Sequence, residues 1–271
     1  MGISIHSTAV VHPGAEIGQD VTVGPFSVIQ DKTVIGAGTT IGAYCQIHSH
    51  TTMGCGNQIH SYAYVGGDPQ DIKYRGGTTR LTLGDNNIVR EFVTLHRGTE
   101  TGRGETIIGS GCMIMAYAHV AHDCHIGDHV IMANGVMLAG HVDLGHHAVI
   151  SGMSGVHQFA RVGEFGFVGG MSGVSQDVPP FVMAAGVRAQ LRGLNLIGLR
   201  RNGFSPEAIS GLKKAYKLIW RAGKERQEAL AEVQETLGDI AEVARLLEFI
   251  RSSERGMLCD SGLRNGQNRG E

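Results

Sequence analysis

The sequence predicts a parallel β-helix followed by a small helical domain, and three observations predict it. An aliphatic residue recurs at every sixth position, a glycine often follows it directly, and helical spacing appears only after residue 205. The ruler starts at Ile5 and runs through Val11, Ile17, Val23 and onward to Val65. It returns at Leu83, Val89 and Leu95, and again from Ile108 to Val174 after a phase shift. It is filled at 26 positions without a failure inside any block, in a chain that is 42% hydrophobic, so chance does not produce it. A helix would need apolar spacing of three and four. A hexad suits one short strand plus a turn, with the ruler side chain inward and glycine easing the backbone. A small or β-branched residue stands four places after the ruler, as at Ala9, Ser27, Thr39 and Cys45. Three hexads close an 18-residue coil, and coils stack at about 4.8 Å, the spacing between paired strands. Ile108, Ile126, Leu144 and Val162 then form one inner ladder, and Val120, Leu138, Val156 and Val174 another.

Two stretches break the ruler. Residues 71–82 lack aliphatics at the expected places, and residues 99–106 cause the phase shift. Loops that interrupt a regular array tend to carry function, with a tolerated surface insertion as the plain alternative. The pattern ends near Pro179-Pro180, and the β-helix is expected over 1–186. A helical domain follows over 187–255. Ser205-Pro206 reads as an N-cap with proline at the first helical position. Ile209, Leu212, Tyr216 and Ile219 then fall at helical spacing, with Gly223 as the C-cap. Leu230, Val233, Leu237, Ile240, Val243, Leu247 and Ile250 continue the period, so two or three helices fill 205–252. The polar, Gly-rich end is expected to fray from Ser253, with 256–271 as a flexible tail.

Composition excludes several classes of function. With 41 Gly in 271 residues, the chain carries roughly twice the usual share of glycine. There is no Gly-X-Y period and only 6 Pro, so collagen is ruled out. A net charge of −2 offers no global electrostatic reason to bind nucleic acid. No run of 18 apolar residues is present, so no transmembrane segment is expected. The first residues lack the basic start and apolar core of a signal peptide. Five cysteines without a C-x-x-C pair point to a reducing, cytoplasmic setting.

The 14 histidines are the chemical signal. The densest cluster is His119-Val120-Ala121-His122-Asp123-Cys124-His125, with His96, His141 and His157 elsewhere in the array. A coil of 18 residues stacks His122 beside Gly140, and Asp123 beside His141. That arrangement sets a general base next to a backbone N–H able to meet an oxyanion. No G-x-S-x-G elbow supports a covalent triad. Zinc is the rival explanation, with His141 and His146 as a conceivable pair, yet no third histidine stands in an obvious ladder with them. Residues 187–226 hold ten Lys or Arg against Glu207 and Glu225. This stretch suits either a solvated helix face or a site for a phosphorylated metabolite or an acidic carrier protein.

Six motifs carry a resemblance that hexads alone could not. They are Pro69-Gln70-Asp71-Ile72-Lys73-Tyr74, Thr94-Leu95-His96-Arg97-Gly98-Thr99, Ala118-His119-Val120-Ala121-His122-Asp123-Cys124, Leu138-Ala139-Gly140-His141-Val142, Val156-His157-Gln158-Phe159 and Gln176-Asp177-Val178-Pro179-Pro180. With these, residues 1–255 resemble the UDP-N-acetylglucosamine O-acyltransferases of lipid A biosynthesis, in the hexapeptide-repeat acyltransferase superfamily. The resemblance implies a left-handed parallel β-helix with a C-terminal helical domain, assembled as a homotrimer with active sites between subunits. It implies transfer of an (R)-3-hydroxyacyl group from acyl carrier protein to the glucosamine 3-hydroxyl of UDP-N-acetylglucosamine, without a cofactor or metal. A 3-amino sugar nucleotide is the alternative acceptor. Carried over by position, His122 is the general base, Asp123 its supporting acid and Gly140 the oxyanion donor. Asp71, Lys73, His96, His119, His141, His157 and Gln158 are substrate contacts, and Gly170 matches a stop for acyl-chain length. Asn195 and Arg201 match the nucleotide end, where Ile197 and Asn202 depart from the family pattern, while Arg200 and Arg201 keep cationic charge there.

Overall fold

Residues 2–262 are described by the computed structural model, and in them each hexad becomes a two-residue strand followed by a turn. Ser4–Ile5, Val10–Val11 and Glu16–Ile17 start three faces of a triangular prism. These faces grow into sheet 1 of eleven strands, sheet 2 of nine and sheet 3 of eight. Strands one coil apart pair in parallel. Ile108, Ile126, Leu144 and Val162 lie in one register row, and Val120, Leu138, Val156 and Val174 in another. All eight are buried, as is the ruler from Val23 onward, while Ile5, Val11 and Ile17 of the first coil stay partly or largely exposed at the open end. The small residues four places on also point inward where the chain bends: Val21, Ser27, Thr39 and Cys45 are fully buried.

The architecture is a left-handed parallel β-helix. The right-handed preference belongs to strand–helix–strand crossovers, and here the connections are tight turns instead. From the third turn onward the tight turns set one residue at positive φ, among them Asp20, Phe26 and Lys32 at 59°, 59° and 51°. An L-residue there costs about 1 kcal/mol. Along the edge between sheets 1 and 2, ring stacking offsets part of that cost. Phe26, Tyr44, Tyr62, Phe92 and Tyr117 form a continuous stack with centroids 5.0 or 5.1 Å apart. Each such contact contributes roughly 0.5–1.5 kcal/mol.

Both interruptions leave sheet 2 and return to sheet 3, so both project from the edge between those sheets. They span 68–79 and 97–104, because Arg80–Leu83 and Glu105–Ile108 are paired strands. The expected limits of 71–82 and 99–106 therefore shift toward the N-terminus.

Beyond the last coil the chain does something periodicity did not announce. Val182–Ala185 joins sheet 1 in parallel, and Gln190–Leu194 folds back on it antiparallel. β structure thus runs past residue 186. A short helix, α1 (Leu196–Arg201), precedes α2 (Pro206–Arg221), α3 (Arg226–Leu237) and α4 (Ala241–Arg251). Ser205 caps α2 by accepting from Ala208 N. Ala222 is the C-cap residue, and Gly223 follows it at φ 70°. Ile209, Leu212, Tyr216 and Ile219 are buried against the other helices and the prism end.

The expectation of fraying from Ser253 is corrected for residues 253–262. Met257, Leu258 and Asp260 are buried, and Asp260 receives Arg221 and the Tyr216 hydroxyl. A buried carboxylate with two partners anchors the segment. The rest of the expected tail, 263–271, lies outside the described residues.

Candidate active site

His119–Val120 is a sheet-2 strand, paired with Thr94–Leu95 above and Met137–Leu138 below. Val120 and Cys124 point into the core, and the bend between them, with Asp123 at φ 61°, turns His122 outward. His122 Nδ1 lies 2.8 Å from Asp123 Oδ2. Asp123 has no exposed surface, and the second interruption wraps its carboxylate. Thr99 donates from its N–H at 3.1 Å and its Oγ1 at 2.7 Å, and Arg103 from its N–H at 2.8 Å. A Cβ on Gly102 would stand 2.4 Å from that carboxylate, so this loop position requires glycine. Burial alone would raise the Asp123 pKa. The hydrogen bonds from His122 and Thr99 outweigh it and hold the group at about 2.

An ionised carboxylate only accepts, so His122 carries its proton on Nδ1 and a lone pair on Nε2. That nitrogen faces the backbone of Gly140. A Cβ there would lie 2.7 Å from Nε2 and 2.5 Å from Cε1, so only glycine permits the approach. Among the described residues the Gly140 N–H donates to no group. The next residue, His141, donates its backbone N–H to the His122 carbonyl at 3.0 Å, as the 18-residue coil requires. Its ring lies edge-on to His122 and stacks on Phe159 at 4.5 Å. Burial lowers the His141 pKa, against the pull of the Asp123 charge.

The remaining expected residues divide into two groups. His119 meets Thr94 Oγ1 at 2.7 Å, and burial, with His96 and His122 adding, pushes its pKa down to about 4. His96 packs edge-on to His119, donates from Nδ1 to the Asp68 carbonyl, and leaves Nε2 buried without a partner among the described residues. Its pKa is lowered, by burial first. Asp71 and Lys73 sit on the first interruption, where Asp71 Oδ1 accepts from Lys73 N at 2.9 Å. His157 and Gln158 lie one coil below Ala139 and Gly140. These residues share the edge of sheets 2 and 3 or the face beside it. Asn195 and Arg201 do not. Asn195 caps α1 and donates to the Phe165 carbonyl, on the edge between sheets 3 and 1, and Arg201 ends that helix. Gly170 lies on the third edge, beside Met171.

A groove of ≈ 730 Å³ runs down sheet 2 from His119, floored by Met137, Gly155, Val156 and Gly173 and lined at its far end by Arg188. Sequence reasoning missed Thr99, Arg103 and Phe159. Thr99 ends one of the quoted motifs, but nothing in its residue type announced a carboxylate partner a coil away.

The metal question has a geometric answer. His122, Asp123 and His141 bring one ligand atom each within 4.8 Å of one another. The conceivable rival pair of His141 and His146 is not brought together. His146 pairs with Asp128 at 3.3 Å, across sheet 3 from His141. Four donors already fill the Asp123 lone-pair sites, so the group suits a held imidazole better than an ion.

Residues 105–140 match the family described as bacterial transferase hexapeptide (six repeats). Residues 177–258 match domain 2 of the UDP-N-acetylglucosamine O-acyltransferases. An acyl-[acyl-carrier-protein]–UDP-N-acetylglucosamine O-acyltransferase of Thiobacillus denitrificans is 51% identical over 255 residues, covering 94% of this chain and 99% of that one. The crystal structure of UDP-N-acetylglucosamine O-acyltransferase from Moraxella catarrhalis superposes with a TM-score of 0.92 at 40% identity, over 94% of this chain and 99% of that one. The UDP-N-acetylglucosamine acyltransferase of Francisella novicida gives 0.92 at 39%, over 95% of each chain.

Proposed function

Because the chain belongs to the UDP-N-acetylglucosamine O-acyltransferase family, we propose that it moves an (R)-3-hydroxyacyl group from acyl carrier protein to the glucosamine 3-hydroxyl, with His122 as general base. The observation that carries the mechanism is the contact between His122 and the Gly140 backbone. In the proposed step, Nε2 takes the hydroxyl proton as the sugar oxygen attacks the thioester carbonyl. The tetrahedral oxyanion forms beside the Gly140 N–H, a type of donor worth roughly 3 kcal/mol. Collapse breaks the C–S bond, and the carrier thiolate leaves with the proton from His122. Asp123 stays ionised throughout, fixing the tautomer and stabilising the imidazolium. The resemblance places this reaction first in lipid A biosynthesis. Five unpaired thiols, three of them buried, suit the cytoplasm in which we place it.

A homotrimer fits the division of the expected residues. Asn195 and Arg201 are one full prism face away from His122, so a site using all of them takes them from two copies. The test is acyl transfer from a panel of carrier-bound chains to UDP-N-acetylglucosamine and its 3-amino analogue. Turnover with neither acceptor would sink the assignment. Activity that requires bound zinc would favour a metal at His122, Asp123 and His141.

Two further outcomes are expected. Of the ten cations in 187–226, Arg221 pairs with Asp260, and Lys224 with Glu228 and Glu232. Lys213, Lys214 and Lys217 are exposed on α2 and form no ion pair among the described residues. Reversing these three charges should raise the KM for the acidic carrier and flatten its salt dependence. An unchanged KM and slope would leave a solvated helix face.

The second concerns acyl-chain length. A Cβ on Gly170 would meet only Gly152 O at 3.5 Å and Ser151 Cβ at 4.0 Å, so a side chain fits there without strain. Gly170 does not line the sheet-2 groove of its own copy, and it acts on a chain bound where two copies meet. Met171 is 74% exposed next to it and shares that border. Gly170→Met should shift preference toward shorter donors, by about 0.8 kcal/mol for each CH₂ that no longer fits. A folded, active variant with its chain preference intact would place the length stop elsewhere.

A further inference from the structure

The segment after α4 is clamped to the last coil through Asp177, a fully buried carboxylate. Asp177 accepts from Arg161 N at 2.8 Å, Arg161 Nε at 3.1 Å and Ser253 Oγ at 2.8 Å. The Asp177 N–H donates to Gly256 O at 2.8 Å, and Leu258 N donates to Asp177 O at 3.0 Å. This clamp carries Arg255 across the coil toward sheet 2. Its Nε donates to the Ser175 carbonyl at 3.0 Å, and its Nη2 stands 2.8 Å from His157 Nδ1.

A guanidinium has five donors, no acceptor and a permanent charge. Nδ1 of His157 must therefore hold a lone pair. A proton there would set N–H against N–H beside a cation. The Gln158 carbonyl, 3.2 Å from the same nitrogen, is then a neighbour and not an acceptor. The proton of the neutral ring is on Nε2. His157 follows Ala139 by one coil, next to the column of His122 and Gly140, and it lines the sheet-2 groove with Met137 and Gly155.

We propose that Arg255 is a positioning residue that holds His157 as an Nε2–H donor aimed at an oxygen of the thioester-borne acyl donor. The inference rests on the reading of His157 as a substrate contact. It adds what fixes the ring and which atom it offers. Arg255 touches no reacting atom and acts through His157 alone.

The test uses the full chain labelled with ¹⁵N-histidine, together with kinetics on acyl carrier protein donors. In the native protein the His157 Nδ1 resonance, assigned with His157→Ala, should be that of an unprotonated nitrogen. Arg255→Ala should let the ring sample both tautomers, and Arg255→Lys should restore the native signal in part. Arg255→Ala should lower kcat/KM by roughly ten- to a hundred-fold, the effect of losing one charge-assisted hydrogen bond. His157→Ala should cost as much or more, and the double variant no more than His157→Ala alone. Losses that multiply, or a native ring protonated on Nδ1, would overturn the proposal. If His157→Ala leaves turnover unchanged while the tautomer is as stated, the substrate contact fails, and the proposed role falls with it. In that case the His122 mechanism still stands.

Discussion

His122→Ala is expected to remove nearly all acyl transfer while leaving the fold and the assembly intact. A sugar hydroxyl is a weak nucleophile near neutral pH, so the loss of the base should cost about 10²–10⁴ in kcat. The side chain points out of the prism and contributes nothing to the ruler core, and its contacts are with Asp123, His141 and the Gly140 backbone. Circular dichroism and sedimentation should therefore match the parent protein. Retention of more than about a tenth of the parental rate would refute the assignment.

Asp123→Asn should be nearly as damaging to turnover and, unlike His122→Ala, should also destabilise the protein. An amide of the same size presents NH₂ where one carboxylate oxygen accepted. It meets Thr99, Arg103 or His122 with donor against donor. If the amide turns its NH₂ to His122, Nδ1 must accept and the proton moves to Nε2, which disables the base. A loss of about 10²-fold or more in kcat is expected, as when other base-orienting carboxylates are replaced.

The stability effect depends on pH. The Asp123 pKa is lowered from 3.8 to about 2, so the folded protein holds this proton less tightly than the unfolded chain does. Its contribution, on the order of 2 kcal/mol, is complete above about pH 4 and is lost as pH falls through about 2. The gap in melting temperature between parent and variant should be widest near neutrality and close across that window. A gap independent of pH would mean that Asp123 is not the carboxylate wrapped by the 97–104 loop in solution.

How much of this was legible in the sequence follows from how each part is specified. The prism was legible because each ruler residue states its own burial locally. Ile126 and Leu144 need nothing but the count of residues between them. The same count gave His122 beside Gly140, since both lie in one regular stretch without an insertion. Counting fails where the chain leaves the coil. Thr99 and Arg103 reach Asp123 from a loop whose path is set by three hydrogen bonds, and no periodicity encodes these. The hairpin over 182–194 was hidden because it departs from the hexad count, and its outer strand, Gln190–Leu194, has only one neighbouring row to match. The segment after Ser253 looked like a tail because its anchors are polar and distant. Asp260 finds Tyr216 and Arg221, and Ser253 finds Asp177, across gaps of 39 to 76 residues.

The fixed coil has a consequence for how such a chain can vary. Because Asp123 and His141 occupy equivalent corners, the spacing of base and oxyanion donor is held by an integer. Removing one residue between them would rotate every later side chain off its face and part the two groups. Duplicating one whole coil near Val34 would leave both where they are relative to each other and lengthen the rod by a single strand spacing. Genetic drift in this molecule is thus quantised. Whole turns can be added upstream of residue 68 without disturbing the site, while the two coils around His122 admit no change in count and hold His122, Asp123 and Gly140 fixed in kind.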